Sequence, residues 1–288
     1  MNAHLPHGLR AVIPAAGFGT RMLPATKSMP KEMLPVLDRP AIQYVVEEAS
    51  HSGLEDILII TGRGKRAVED HFDEAPELEQ ALEEKGKTEL LERLRAITNL
   101  GRVFTVRQHR ALGLGHAVLQ AWPHTRDDPF AVLLGDDIIV GDRPATRQLL
   151  DVHEETGSSV FCVQQVAPEE VSKYGVVEVE RVEKGLYRVV DMVEKPPADE
   201  APSDLATIGR YVFTPTIMPL LAKTKPGHGG EIQLTDAIRD LLAREEVYAL
   251  AFEGTRYDVG SFEGWLEATV ALAAQEPRYR DVIERTLS

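Results

Sequence analysis

Short apolar runs alternate with amphipathic stretches through the first half of the chain. Residues 9–14 read as a strand that empties into a glycine-containing loop. Across 40–52, Ile42, Val45, Val46 and Ala49 recur at i, i+3, i+4 and i+7, one helical face, and Gly53 follows as a stop signal. Residues 56–61 hold the unbroken run Ile57-Leu58-Ile59-Ile60, expected of a strand covered on both faces. Residues 102–107 and 130–134 give two more strands, with a helix over 115–122 between them. Strand–helix alternation of this kind builds a parallel-type sheet.

The second half changes texture. Residues 158–165, 175–182, 186–193 and 207–213 are β-rich, and the middle two alternate, which adds antiparallel or mixed strands. Helices resume at 215–221 and 232–243. Residues 247–252 read as a strand, and 262–274 and 281–287 as closing helices. The expected fold is α/β: one Rossmann-like, mixed but mostly parallel sheet flanked by helices, in a single domain over 1–288.

Residues 66–98 stand apart, with ten acids against five bases. Leu78, Leu82, Leu90, Leu91, Leu94 and Ile97 keep a loose helical spacing. The segment reads as a solvated helical excursion packed by one narrow stripe, with an oligomer contact as the alternative.

Composition narrows the function classes. The 288 residues carry 32 Lys+Arg against 46 Asp+Glu, a net charge of −14. A chain this acidic lacks the broad basic footprint that nucleic acid or an anionic membrane requires, so neither is an expected partner. The single cysteine, Cys162, excludes an intramolecular disulfide and Cys-rich metal sites, and its strand context reads as a buried structural thiol. No apolar run reaches the ~20 residues of a spanning helix. The opening MNAHLPHGLR lacks the charged start and apolar core of a secretory leader. The expected location is cytoplasmic.

Against this acidity one segment is basic. Residues 10–39 hold Arg10, Arg21, Lys27, Lys31 and Arg39 against Glu32 and Asp38, a net +3, so the rest of the chain carries −17. The island surrounds Ala15-Ala16-Gly17-Phe18-Gly19-Thr20-Arg21, where a strand runs into small residues and two glycines. Free N–H groups in such a turn form an anion nest, and Arg21 adds a fork suited to phosphate oxygens. The third glycine of a dinucleotide fingerprint is missing, which disfavours an NAD-dependent oxidoreductase, and no Walker pattern occurs.

Other residues are less decisive alone. Asp136 and Asp137 follow the apolar run Val132-Leu133-Leu134, where a carboxylate enters the ligand crevice of an α/β sheet, or caps a turn. Asp258 by itself reads as an ordinary loop acid. Glu194-Lys195 precedes two prolines at a strand exit and reads, on spacing alone, as a weak surface ion pair. Gln108 donates and accepts through one amide, which suits the edge of a uracil, and Gly113 offers a close backbone approach. His109 and His116 read as structural.

The segment GFGTRMLPATKSMPKEMLPVLDRPAIQYVVEEA resembles the signature of bacterial UTP–glucose-1-phosphate uridylyltransferases, a group of sugar-phosphate nucleotidylyltransferases. The likeness recurs in order at Val106–His109 with Gly113–Ala117, at Leu134–Asp137, at Val193–Pro196, at Gly230–Asp236 and at Tyr257–Gly260. It spans about residues 9–275. The resemblance implies the fold of the nucleotide-diphospho-sugar transferases, with a nucleotide-binding half over about 9–140 and a sugar-phosphate-binding half over about 141–275. It implies that UTP and glucose 1-phosphate give UDP-glucose and pyrophosphate. It assigns the nucleotide to Ala15, Ala16, Gly17, Gly19, Thr20, Glu32, Gln108, Gly113 and Asp136. Arg21, Lys31 and Lys195 become the catalytic cations. Gly175, Glu194, Lys195 and Gly209 line the sugar-phosphate pocket, and Asp136 and Asp258 hold Mg²⁺. Asp137 stays open. A homo-oligomer, dimer or tetramer, is expected, with residues 227–236 and the C-terminal helices as contacts. A thymidylyltransferase, another sugar-1-phosphate nucleotidylyltransferase and a non-catalytic sugar-nucleotide sensor are the alternatives.

Overall fold

The computed structural model describes residues 9–287, and most of the leader reading on MNAHLPHGLR lies outside them. The strands are β1 (Arg10–Ala15), β2 (Pro35–Val36), β3 (Arg39–Pro40), β4 (Asp56–Thr61), β5 (Arg102–Arg107), β6 (Phe130–Leu133), β7 (Asp137–Val140), β8 (Ser159–Gln165), β9 (Gly175–Glu183), β10 (Leu186–Glu194), β11 (Leu205–Phe213), β12 (Val247–Ala251) and β13 (Thr255–Asp258). The helices are α1 (Ala41–His51), α2 (Arg66–Asp70), α3 (Pro76–Glu84), α4 (Thr88–Thr98), α5 (Leu114–Leu119), α6 (Trp122–Thr125), α7 (Ala145–Thr156), α8 (Ile217–Leu221), α9 (Leu234–Leu241), α10 (Phe262–Gln275) and α11 (Pro277–Leu287).

Nine strands form one sheet in the order β5-β4-β1-β6-β11-β8-β12-β10-β9. The pairs β5–β4, β4–β1, β1–β6 and β8–β12 are parallel. Only β11 and β10 run against the other seven strands, so the sheet is mixed and mostly parallel, as expected. Strand alternation divides the core in two. Val12, Leu58, Ile60 and Val132 face one way, onto α5, α8 and α9. Ala11, Ile13, Ile57 and Ile59 face the other, onto α1 and α7. This double covering explains why β4 is a continuous apolar run. Ile42, Val45, Val46 and Ala49 of α1 are all fully buried, so the predicted helical face is the packing face. Cys162 is buried and free. Among the described residues no helix is long and apolar enough to cross a membrane.

One local reading changes, and two features are new. Residues 66–98 form three helices rather than one stripe. Leu91 is buried, but Leu78 and Leu90 are half exposed. Gly86, at φ +65°, breaks the run, and Arg95 of α4 pairs with Glu79 and Glu83 of α3, so polar contacts join these helices. Helix α7 was not read in the sequence, although Ala145, Leu149 and Val152 recur at i, i+4 and i+7; Ala145, Leu149 and Leu150 are buried and Gly157 closes the helix in the left-handed region. Finally, β7 and β13 pair antiparallel in a separate two-stranded sheet, with Asp137 opposite Asp258. Unlike the equally short β6, which is apolar throughout, β13 holds one apolar residue and β7 opens on Asp137, so neither carries a clear strand pattern.

Candidate active site

The crevice lies beyond the carboxyl ends of β1, β4 and β6, the usual ligand position in an open α/β sheet. The loop after β1 is held by two anchors. Met22 is fully buried, which turns its neighbour Arg21 outward. Gly19 adopts φ +66°, and its carbonyl accepts from Thr26 Oγ1 at 2.8 Å. A side chain at Gly19 would also press on the Lys31 Cβ, so both space and backbone require glycine there. Gly17 is exposed and meets nothing where a Cβ would stand, so neither space nor φ demands glycine at that position. Ala15 and Ala16 are buried at the strand end, and Thr20 opens the short turn that carries Arg21.

Two cations converge on one carboxylate. Lys31 Nζ donates to Asp136 Oδ2 at 2.5 Å, and Arg21 Nη2 stands 3.8 Å from the same oxygen. Burial pushes the Asp136 carboxyl up, but Lys31 and then Arg21 outweigh it and hold it at about 2. Asp136 is therefore an anion at neutral pH. Asp258 faces it across Gly260. A Cβ on Gly260 would stand 2.8 Å from Asp136 Oδ2, 3.0 Å from Asp258 Oδ1 and 2.9 Å from Arg21 Nη2. Only a residue without a side chain leaves room between the two carboxylates.

Asp137 belongs to the framework. Its Oδ1 accepts from Arg256 Nε at 2.6 Å and its Oδ2 from the Gly209 N–H at 3.0 Å. Both oxygens are thus committed inside the protein. Gly209 is likewise committed, because its carbonyl accepts from the Leu134 N–H and from Arg210. It stands against Asp137 within β11, with neither polar group turned to a ligand.

Arg256 links the two halves of the crevice. Besides Asp137, its Nη2 lies 3.6 Å from Asp258 Oδ2, and its Nη1 donates to Tyr174 Oη at 3.3 Å. The Tyr174 carbonyl accepts from the Lys195 N–H at 2.9 Å. Lys195 sits at φ +47°, a left-handed conformation that costs a non-glycine residue about 1–2 kcal/mol. Such strain is concentrated at functional sites. Lys195 Nζ lies 3.2 Å from Glu194 Oε1, and Glu194 Oε2 accepts from Thr235 Oγ1 at 2.6 Å. Gly175 pairs opposite Glu194, and a Cβ there would crowd Thr207 Oγ1 and Thr235 Oγ1 at 3.0 and 3.1 Å. Gly175, Glu194, Lys195 and Thr235 therefore lie side by side.

Gln108 lies just past β5, buried, with Nε2 donating to the Gly113 carbonyl at 3.2 Å and 2.8 Å from His116 Nδ1. Gly113 is a glycine for a reason other than ligand approach. It adopts φ +105°, and a Cβ would strike Glu231 and the Ile232 backbone at 2.7 Å. The Ile232 N–H donates to the Leu112 carbonyl, and the Gly115 N–H donates to the Ile232 carbonyl. The segment after Gly230 thus touches the Gln108 side through Ile232 and the Glu194 side through Thr235. His109 is exposed, whereas His116 is part of the Gln108 network.

Lys65 and Thr235 were missed in sequence. Lys65 Nζ donates to Glu32 Oε2 at 2.6 Å, and both residues are buried. Glu32 is therefore neutralised by a residue from the loop between β4 and α2. The signal was a cation flanked by glycines, Gly62-Arg63-Gly64-Lys65, directly after a core strand.

The wider comparisons agree in extent. The model of the Nucleotidyl transferase family matches residues 10–275. A UTP–glucose-1-phosphate uridylyltransferase of Bacillus subtilis (strain 168) is 54% identical over 272 residues, covering 94% of this chain and 93% of that protein. The UTP-bound UGPase from Acinetobacter baumannii is 39% identical with a TM-score of 0.90, over 97% of this chain and 98% of the other. A UDP-glucose pyrophosphorylase complexed with UDP-glucose is 45% identical with a TM-score of 0.85, over 93% of this chain and 99% of the other. The chain belongs to the nucleotidyl transferase family, among its UTP–glucose-1-phosphate uridylyltransferases.

Proposed function

We propose that the crevice joins UTP to glucose 1-phosphate, forming UDP-glucose and pyrophosphate. The observation that carries the reading is the contact chain Asp258–Arg256–Tyr174–Lys195, which ties the carboxylate pair to the sugar-side cation. The first half of the chain supplies the nucleotide side and the second half the sugar-phosphate side.

The carboxylates suit a hard cation. Mg²⁺ is commonly held by one or two carboxylates together with substrate phosphates, and Asp136 and Asp258 face the gap that Gly260 leaves open. Among the described residues no group of three or more His, Cys, Asp or Glu could hold a metal, so the remaining ligands would come from substrate and water. Bound there, Mg²⁺ supplies charge neutralisation to the phosphates.

The protein's own work is positioning and charge. An oxygen of the glucose 1-phosphate dianion attacks the α-phosphorus of UTP in line. The new O–P bond forms as the bond to the bridging oxygen of pyrophosphate breaks. A phosphate dianion is already a nucleophile, so no side chain need remove a proton. Lys195 grips and aligns the attacking phosphate, and Glu194, fixed by Thr235, accepts from sugar hydroxyls. The backbone of 15–20 cradles the nucleotide, beside the buried Glu32–Lys65 pair. Arg21 and Lys31 steady the triphosphate and the departing pyrophosphate, where charge develops. Gln108 reads the base. The reading places the enzyme in the cytoplasm as a homo-oligomer, supported by Phe262, Leu266 and Val270, an exposed apolar stripe along α10.

The test is pyrophosphate release from purified protein with Mg²⁺, glucose 1-phosphate and each of UTP, dTTP, CTP, ATP and GTP in turn. UTP should be the best substrate. Preference for dTTP would make the protein a thymidylyltransferase, and no release with any nucleotide would leave a sugar-nucleotide sensor. Arg21→Ala should lower kcat by about 10²-fold or more, and near-normal turnover would remove Arg21 from the mechanism.

A further inference from the structure

The amide of Gln108 has its orientation fixed from outside. A carbonyl oxygen only accepts, so the group facing the Gly113 carbonyl at 3.2 Å is the nitrogen Nε2. The same nitrogen lies 2.8 Å from His116 Nδ1. Two hydrogens on Nε2 meet two acceptors only if His116 Nδ1 carries no proton. The ring is then neutral, with its proton on Nε2: a neutral imidazole has one acceptor nitrogen, and the 2.8 Å contact to Gln108 takes it in preference to the 3.4 Å contact between Gln120 Nε2 and His116 Nε2. Burial favours this form by pushing the His116 pKa down. A second hydrogen bond, from Gln120 Nε2 to the His116 carbonyl at 2.9 Å, braces the residue one turn along α5. Among the described residues Gln108 Oε1 accepts no hydrogen bond, and it is not sealed from solvent.

We propose that His116 is a positioning residue for base selection: it and the Gly113 carbonyl occupy both donors of Gln108, so that the base meets only the acceptor Oε1. This rests on the reading that Gln108 contacts the base. The consequence is a polarity filter. Uracil presents a donor at N3, which an acceptor satisfies. Cytosine presents a lone pair at N3, which faces Oε1 unpaired and repelled. A site built around a hydrogen bond rejects the analogue that cannot make it, because its own polar group is then left without a partner. Without His116, one Gln108 N–H is released to face the base and the amide is held by the Gly113 carbonyl alone, so the filter weakens. Thymine shares the N3 donor of uracil, so His116 does not separate UTP from dTTP.

The experiment measures kcat and KM for UTP at saturating glucose 1-phosphate, and the inhibition constant of CTP against UTP. The proteins are the unaltered enzyme, Gln108→Ala, His116→Ala, His116→Leu and His116→Asn. The leucine keeps bulk without an acceptor and guards against a cavity effect. The asparagine places an acceptor oxygen close to where Nδ1 stands. Both acceptor-free variants should raise the UTP KM about tenfold, the worth of one hydrogen bond, while kcat stays within about threefold. Preference for UTP over CTP should fall about tenfold or more, and His116→Asn should restore most of it. If Gln108→Ala loses the preference while the His116 variants keep it, the positioning role is wrong and the base contact stands. If Gln108→Ala keeps the preference, both fall. A loss of kcat with unchanged preference in the His116 variants also overturns the proposal.

Discussion

Arg210 Nε and Nη2 donate to the Glu48 carboxylate at 3.0 and 2.7 Å, with the arginine fully buried. The remaining guanidinium donors reach the carbonyls of Gly209 and Asp137, and Glu48 Oε1 also accepts from Thr146 N and Oγ1. One ion pair thus joins α1, α7, β11 and the turn that presents Asp136. Arg210→Met should cost about 3–5 kcal/mol in urea unfolding, because it strands a buried carboxylate. Adding Glu48→Leu should recover part of that loss, since the pair then goes as a unit. A single variant as stable as the parent would contradict this account.

The adjacent aspartates should separate by phenotype. Asp136→Asn removes the carboxylate that Arg21 and Lys31 hold, and kcat should fall about 10²-fold or more. Asp137→Asn takes the counter-charge from Arg256 inside the fold and should cause the larger stability loss, about 2–4 kcal/mol. Thermal unfolding and turnover measured on both variants decide the matter. A reversed pattern would move the metal role to Asp137.

Lys195 carries a charge and a strained backbone, and two substitutions tell them apart. Lys195→Ala and Lys195→Gly should both raise the KM for glucose 1-phosphate far more than that for UTP. The glycine variant should be about 1 kcal/mol more stable than the alanine one, since only glycine takes φ +47° without cost. A defect confined to UTP would show that Lys195 serves the other substrate.

His71 should make stability depend on pH. Burial pushes its pKa below the ordinary 6.5 against the pull of Glu47, and its Nε2 donates to Gln43 Oε1 at 3.0 Å. The unfolded chain then binds the proton first as pH falls. Stability should be full above about pH 6.5 and decline as pH drops towards the lower folded pKa. Urea midpoints at pH 7.5 and 5.5 measure this decline. His71→Gln should flatten it, and a midpoint that rises on acidification would refute the sign.

The candidate site was partly legible before any fold was known. Gly19, Arg21 and Lys31 lie within one short loop, so their association follows from chain connectivity. Asp136 was readable because it ends an apolar run, whereas Lys195 read alone as a surface ion pair and took its role only from the family resemblance. Asp137 was not assignable, since its role depends on Arg256, a residue 119 positions away. Lys65 and Thr235 escaped for the same reason, as their partners Glu32 and Glu194 lie on other elements.

The sequence by itself determined the strands of the inner sheet, the packing face of α1, the glycine loop and the concentration of positive charge around it. These features are local: periodicity, burial and turn chemistry act over a few residues, and the residues themselves carry the pattern. The tertiary structure decided the partners. It set Asp136 and Asp258 across Gly260, spent both oxygens of Asp137 on the framework, and turned His116 from an isolated histidine into the acceptor that orients Gln108. Those outcomes depend on how distant strands and helices come into register, and register between distant elements leaves no periodic trace along the chain.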